Sequence, residues 1–215
     1  MLNFEALLDG LFNEERPFTE DVFAFFVDNL PINFITDSGA TKAVIIPPEE
    51  NFVIKIPFQG FISERYNRDR QCWEDEFVRY DSAYCSGSEW DYCLSEVEIY
   101  KRAVEAGVQQ IFAKTEFITT VDGHPIYIQE KAEIFNRGEH SHPREQLRKT
   151  REKTKDYYCE ANEDWLTDVL EYYGEDIFLD FLRFVDDLQL TDLHSGNLGY
   201  INNRPVITDY SGYYE

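Results

Sequence analysis

The sequence is poor in positive charge, in paired cysteines and in long apolar runs. Its 215 residues hold 20 Lys and Arg against 42 Asp and Glu, a formal net charge of −22. So anionic a chain is repelled by phosphate backbones, which disfavours a general nucleic-acid binder. No apolar run approaches the ~18 residues that a membrane-spanning helix needs, so no membrane partner is expected. Cys72, Cys85, Cys93 and Cys159 contain no C-x-x-C pair. A zinc site or redox dithiol therefore has little support, and reduced, partly buried thiols are expected. His140 and His142 lack a partnering cysteine or carboxylate pattern and read as loop residues. Met1 to Arg16 carries acids where an export signal has a basic region, so the expectation is a cytoplasmic protein without structural disulfides.

Hydrophobic residues make up 43% of the chain and aromatics 16%, enough to fill one domain core or two small lobes. The charge is uneven. Residues 137–155 hold Arg137, Arg144, Arg148, Lys149, Arg151, Lys153 and Lys155 against only Glu139, Glu145 and Glu152. This reads as a solvated helix face with mixed pairs, or as a strip docking an anionic partner or the protein's own acidic surface.

Periodicity predicts helices over 2–13, weakened by Gly10, and over 19–29, with Thr19 as a possible N-cap and Val22, Phe23, Phe26 and Val27 as its stripe. Strands are expected at 33–35, 43–46 and 52–56, the first two around a polar turn from Thr36 to Lys42. Residues 59–90 read as polar, aromatic and irregular. A helix follows over 91–106, ending at Gly107, then a hairpin of 116–121 and 125–131 through Asp122-Gly123. Helical pattern dominates 143–188 with a break near Gly174, and Ile177, Phe181, Val185 and Leu188 mark one buried stripe. A loop from Thr191 to Asn197 leads into a last hairpin, 198–201 and 205–208. This order is α+β, not a βαβ repeat.

The chemistry-bearing stretch is Asp192-Leu193-His194-Ser195-Gly196-Asn197, with Asp209-Tyr210-Ser211-Gly212 after the hairpin. A hairpin sets its ends side by side, so Asn197 and Asp209 are expected to converge. A carboxylate and an amide oxygen are hard ligands that suit Mg²⁺, which keeps waters and takes phosphate oxygens for the rest of its shell. Asp192 is then left to orient or deprotonate a hydroxyl nucleophile.

These residues resemble the protein kinase-like superfamily, which includes protein kinases and aminoglycoside-type phosphotransferases. Asp192-x-x-x-x-Asn197 matches the catalytic loop, and Asp209-Tyr210-Ser211-Gly212 looks like a variant of the Asp-Phe-Gly metal motif. Val53-Ile54-Lys55 resembles the strand whose Lys contacts ATP phosphates. Its partner Glu falls on the 91–106 helix, and Glu96, on a less polar face than Glu98, is the better candidate. The loop between the first two strands stands where the family cradles phosphate. It has one glycine, Gly39, with Ser38, Thr41 and Lys42 beside it; the alternative reading is an ordinary hairpin turn. By resemblance Gln129 is the gatekeeper, and the backbone of Glu130 to Ala132 hydrogen-bonds adenine.

The resemblance implies a two-lobed kinase-like fold: a helical extension over 1–30, an antiparallel-sheet lobe over 31–135 and a reduced helical lobe over 136–215. It implies ATP and Mg²⁺ as cofactors, with Asp192, Lys55 and Glu96 catalytic and Asn197 and Asp209 holding the metal. The acceptor is a hydroxyl of a protein or small molecule, and the acidic surface favours a cationic one. Three departures stand out. Leu190-Thr191 replaces the His-Arg that precedes the catalytic Asp in many protein kinases, so control through a phosphorylated activation loop is not expected. His194 stands where serine/threonine kinases carry Lys, and serves either as a phosphoryl contact or as a structural loop residue. Six residues follow Asp209, where a protein kinase continues for roughly a hundred more, so a minimal architecture is expected. The competing readings are a non-catalytic nucleotide-binding or interaction module, and an unrelated acidic binding protein.

Overall fold

The computed structural model describes residues 4–12, 16–27, 35–38, 41–67, 70–80 and 91–212. Among them are six α-helices and antiparallel sheets, a mixed α+β architecture. None of these helices is long and apolar enough to cross a membrane. Contacts divide the chain into two units: residues 1–94 with 116–129, and residues 95–115 with 130–215.

The first unit is built on a five-stranded sheet. Its strands are β1 (Ile35–Ser38), β2 (Lys42–Ile46), β3 (Phe52–Pro57), β6 (Thr115–Val121) and β7 (His124–Glu130), in the order β1-β2-β3-β7-β6. Period-2 alternation turns Ala43, Ile45, Ile54 and Ile56 inward, all fully buried. Leu8, Leu11, Phe18 and Phe23, from the N-terminal segment, complete this core. There α1 spans only Phe4–Leu7 and α2 spans Glu20–Val27. The first helix stops well short of residue 13, because Gly10 takes φ +78° and breaks the pattern. Asn33 and Phe34 lie outside the described residues. From Ile35 the strand runs to Ser38, pairing Asp37 with Val44 and Ser38 with Ala43, so part of the stretch expected as a turn is strand.

The stretch expected to be irregular is a hairpin: β4 (Gly60–Asn67) pairs with β5 (Cys72–Arg79) over eight residues. In the Asp122-Gly123 hairpin both turn residues have positive φ, +48° and +80°, as a two-residue type I′ connection requires.

Helix α3 spans Tyr92–Glu105. Asp91 opens it: Oδ1 accepts the Leu94 N–H at 2.9 Å, and Oδ2 accepts the Tyr127 hydroxyl at 2.5 Å.

The second unit holds α4 (Arg144–Thr154), α5 (Glu163–Tyr173) and α6 (Glu175–Asp187), with a three-stranded sheet ordered β10-β9-β8. Those strands are β8 (Glu133–Ile134), β9 (Leu198–Ile201) and β10 (Arg204–Ile207). Phe178, Phe181, Leu182 and Val185 of α6 pack on Trp165 and Val169 of α5, all fully buried. Gly174, at φ +84°, divides α5 from α6 as its position suggested. A second interruption separates α4 from α5, and Asn162 caps the new helix by accepting the Asp164 N–H at 2.9 Å. The basic strip lies largely on α4 and is met by acids of its own unit. Arg151 pairs with Glu163, Lys153 with Glu175 at 2.5 Å, and Arg148 with Glu152.

Candidate functional site

The loop after α6 hangs between two buried leucines. Leu190 and Leu193 are fully buried, and the Leu190 N–H donates to the Val185 carbonyl at 2.9 Å. Asp192, between them, is two-thirds exposed and has φ +64°. A non-glycine residue pays for the left-handed region, and short polar side chains tolerate it best. The next residues form a 3₁₀ turn over Ser195–Asn197. His194 caps it: Nδ1 accepts the Gly196 N–H at 3.0 Å, which leaves the ring proton on Nε2, 3.5 Å from the Asp192 carboxylate. This contact gives His194 a structural role in the loop.

Asn197 closes the turn. Its Nδ2 donates to the Asp192 backbone carbonyl at 2.8 Å, and its N–H donates to the His194 carbonyl at 2.9 Å. The side-chain oxygen is left over as an acceptor. The β9–β10 hairpin, with Asn202 and Asn203 both at positive φ, then returns the chain. Thr208 N–H donates to the Asn197 carbonyl at 2.8 Å, so Asp209 is one residue beyond that rung. Asp209 Oδ1 accepts the Ser211 hydroxyl at 3.1 Å. Gly212 then comes against the backbone of the loop at Thr191: its carbonyl accepts the Thr191 N–H at 2.9 Å, and a Cβ there would lie 2.9 Å from Thr191 Oγ1. No side chain fits without displacing that hydroxyl.

Tyr210 ties this motif to α3. It is fully buried, as is Glu96, while Glu98 is half-buried. The Thr115 hydroxyl donates to Glu96 Oε2 at 2.9 Å. The single Tyr210 hydroxyl proton is then shared between Thr115 Oγ1 at 3.1 Å and the Ala113 carbonyl at 2.7 Å. Burial, reinforced by the Glu96 charge, drives the Tyr210 phenol well above its ordinary value, so it stays a donor. Thr115 carries no sequence signal for this role. Its link to Tyr210 spans 95 residues.

The other expected site residues are placed as follows. Lys55 is buried in β3, 4% exposed, opposite Val44. Lys42 heads β2 and is 2% exposed, and Ser38 pairs its backbone with Ala43. Gly39 lies outside the described residues. Gln129 is buried in β7. The Glu130 N–H donates to the Lys114 carbonyl at 3.1 Å, so only its carbonyl remains for a ligand from the backbone pair. Its carboxylate accepts the Lys114 N–H at 2.9 Å and meets Arg204 at 3.3 Å. Ala132 is half-buried just before β8.

The donors that Asn197 and Asp209 would offer a cation are one amide oxygen and one carboxylate. No group of three or more His, Cys, Asp or Glu suited to a metal occurs among the described residues. The pair fits a hard cation completed by water and phosphate, and does not fit zinc. No protein-family model matches this chain, and no curated protein matches it.

Proposed function

We propose that the chain is an ATP- and Mg²⁺-dependent phosphotransferase of the protein kinase-like type, with a two-lobed fold of that kind. The observation that carries the reading is the closed loop of the second unit. Asn197 holds the Asp192 backbone, and the hairpin that starts at Asn197 returns the chain to Thr208, one residue before Asp209. This order supports the reading, in which Asn197 and Asp209 converge on one cation and Asp192 is left for the acceptor.

In this reading the exposed Asp192 carboxylate accepts the proton of an acceptor hydroxyl. The hydroxyl oxygen forms a bond to the γ-phosphorus, the bond from that phosphorus to the β-bridging oxygen breaks, and ADP leaves. Asn197 and Asp209 would hold Mg²⁺, which supplies charge neutralisation to the phosphates when bound. Lys55 is assigned to the nucleotide phosphates, as are Ser38, Gly39 and Lys42 of the strand-to-strand turn. The carbonyl of Glu130 and the N–H of Ala132 are assigned to adenine. Glu96 acts through its buried hydrogen bonds, as a positioning residue. The net charge of −22 favours a cationic protein or small-molecule acceptor.

The test is phosphate transfer from γ-labelled ATP into cell lysate, alongside thermal shift. ATP with Mg²⁺ is expected to stabilise the protein, and Asp209→Ala to abolish that effect. Asp192→Asn keeps a side chain that tolerates φ +64°, and is expected to bind nucleotide while losing transfer by about 10²-fold or more. Absence of any shift at millimolar ATP and Mg²⁺ would overturn the reading. Binding with transfer unchanged in Asp192→Asn would remove Asp192 from its role, and binding without transfer would mark a non-catalytic nucleotide-binding module.

A further inference from the structure

The β4–β5 hairpin has two unlike faces. In its register Ile62 stands opposite Phe77, Glu64 opposite Asp75 and Tyr66 opposite Trp73. Period-2 alternation puts all six on one face, and all six are exposed, Trp73 by 66% and Tyr66 by 45%. Two apolar rungs therefore flank a rung of two like charges. Like charges directly opposite repel, with Cβ atoms about 5 Å apart. Among the described residues, neither Glu64 nor Asp75 has a counter-ion.

The hairpin's ion pairs lie on the other face. Arg65 bonds Glu76 at 3.1 Å, while Arg70 and Asn67 both reach Glu74, at 3.0 and 2.8 Å. Arg79 shares the first face but stands at its base, opposite Gly60 and four residues from Asp75. Side chains of this face pack on the ribbon itself. The Phe77 ring fills the space where a Gly60 Cβ would be, and Tyr66 packs edge-on against Trp73 with centroids 5.4 Å apart.

We infer that this face docks a basic extended segment of a partner protein, in which alternate residues read apolar, Lys or Arg, apolar. The rungs repeat every two residues, about 6.8 Å, which is also the same-face repeat of a strand. A cation on the middle rung neutralises Glu64 and Asp75, while the flanking apolar residues cover Ile62 and Phe77 on one side and Tyr66 and Trp73 on the other. Exposed tryptophan and tyrosine are the side chains that most often anchor interfaces. A second copy of this chain is a poor occupant, because its own Glu64 and Asp75 would meet theirs. The chain's net charge of −22 steers a basic partner toward it. The inference does not depend on phosphate transfer.

Trp73 is the reporter. The intact protein is titrated with a ten-residue peptide, Val-Thr-Arg-Thr-Val repeated twice, and with versions carrying Glu for Arg or Gly for Val. The Arg peptide is expected to shift Trp73 emission to the blue with saturation, and Trp73→Phe to lose that shift. Glu64→Lys with Asp75→Lys should weaken binding at least tenfold. Glu49→Lys with Glu105→Lys, an equal charge change at exposed sites elsewhere, should stay within twofold of wild type. Four results would each overturn the inference: no shift at millimolar peptide, equal binding of the Gly version, equal loss in the control variant, or self-association of the protein through this hairpin in sedimentation.

Discussion

The Asn197 side chain donates to the backbone carbonyl of Asp192 at 2.8 Å, across the five residues of the loop. That bond holds a residue at φ +64° whose own side chain reaches into solvent. Asn197→Ala removes a hydrogen bond that is nearly buried and should cost about 1–2 kcal/mol in denaturant unfolding without nucleotide. Asn197→Asp should cost at least as much, since a carboxylate cannot donate to the Asp192 carbonyl. A neutral Asn197→Ala would mean that the loop is held by its leucines alone.

Much of this loop was legible because its logic is local. The five-residue spacing from Asp192 to Asn197 and the short hairpin that follows both lie within about twenty residues, whereas the burial of Leu190 and Leu193 was not read from the sequence. The stripe of α6 was legible for the same reason: Phe181 and Val185 are fully buried, with Ile177 and Leu188 half-buried at its ends. The β4–β5 hairpin was not. Its central residues are charged on both faces and neither face is buried through, so the period-2 signal of a half-buried strand is absent. The α4–α5 break was also missed, although Asn162 before Glu163-Asp164 is an N-terminal signature. The Glu96–Thr115–Tyr210 chain has no local signature, because its partners meet only once the unit is folded.

Tyr210 gives that chain an alkaline readout. Its phenol is raised far above 10 by burial first and by Glu96 second, and burial likewise raises Tyr173 and Tyr200. Above pH ~10 the unfolded chain releases these protons while the folded chain keeps them, so stability falls as pH rises through that range. Urea midpoints measured from pH 8 to 11 should decline steeply above 10. Tyr210→Phe should flatten part of that decline, and at pH 8 should cost about 1–3 kcal/mol by leaving the Ala113 carbonyl without its donor. An unchanged slope would place Tyr210 outside the buried set.

His124 sets the acid side of the first unit. Its ring stacks on Phe12 with centroids 4.1 Å apart, and burial lowers its pKa against the weaker opposing pull of Asp122. Its Nδ1 is buried without a hydrogen-bond partner. As pH falls below ~6.5 the unfolded histidine takes up a proton that the folded one resists, so stability is lost on acidification until the lower folded value is reached. His124→Phe keeps the stack and should reduce the loss between pH 7 and 5. Equal acid sensitivity in wild type and variant would assign it to other groups.

Gly212 and Thr191 offer a coupled test of how the Asp209 motif is seated. The Gly212 carbonyl accepts the Thr191 N–H, and a Cβ at residue 212 would come within 2.9 Å of Thr191 Oγ1. The next atoms are farther off, Thr191 O at 3.5 Å and Asp192 Cβ at 3.7 Å, both ordinary contacts. The clash therefore rests on one hydroxyl. Gly212→Ala in the Thr191 background should destabilise by about 1–3 kcal/mol, the usual range for overpacking. In a Thr191→Ala background the same change should cost much less, because the oxygen is gone while the backbone bond remains. A double-mutant cycle on urea unfolding should then give a favourable coupling of about 0.5–2 kcal/mol. Additive costs would mean that the backbone, not the Thr191 side chain, sets the requirement for glycine. In that case the Asp209 motif would be seated by the Thr191 N–H bond alone, and truncating the Thr191 side chain would leave it in register.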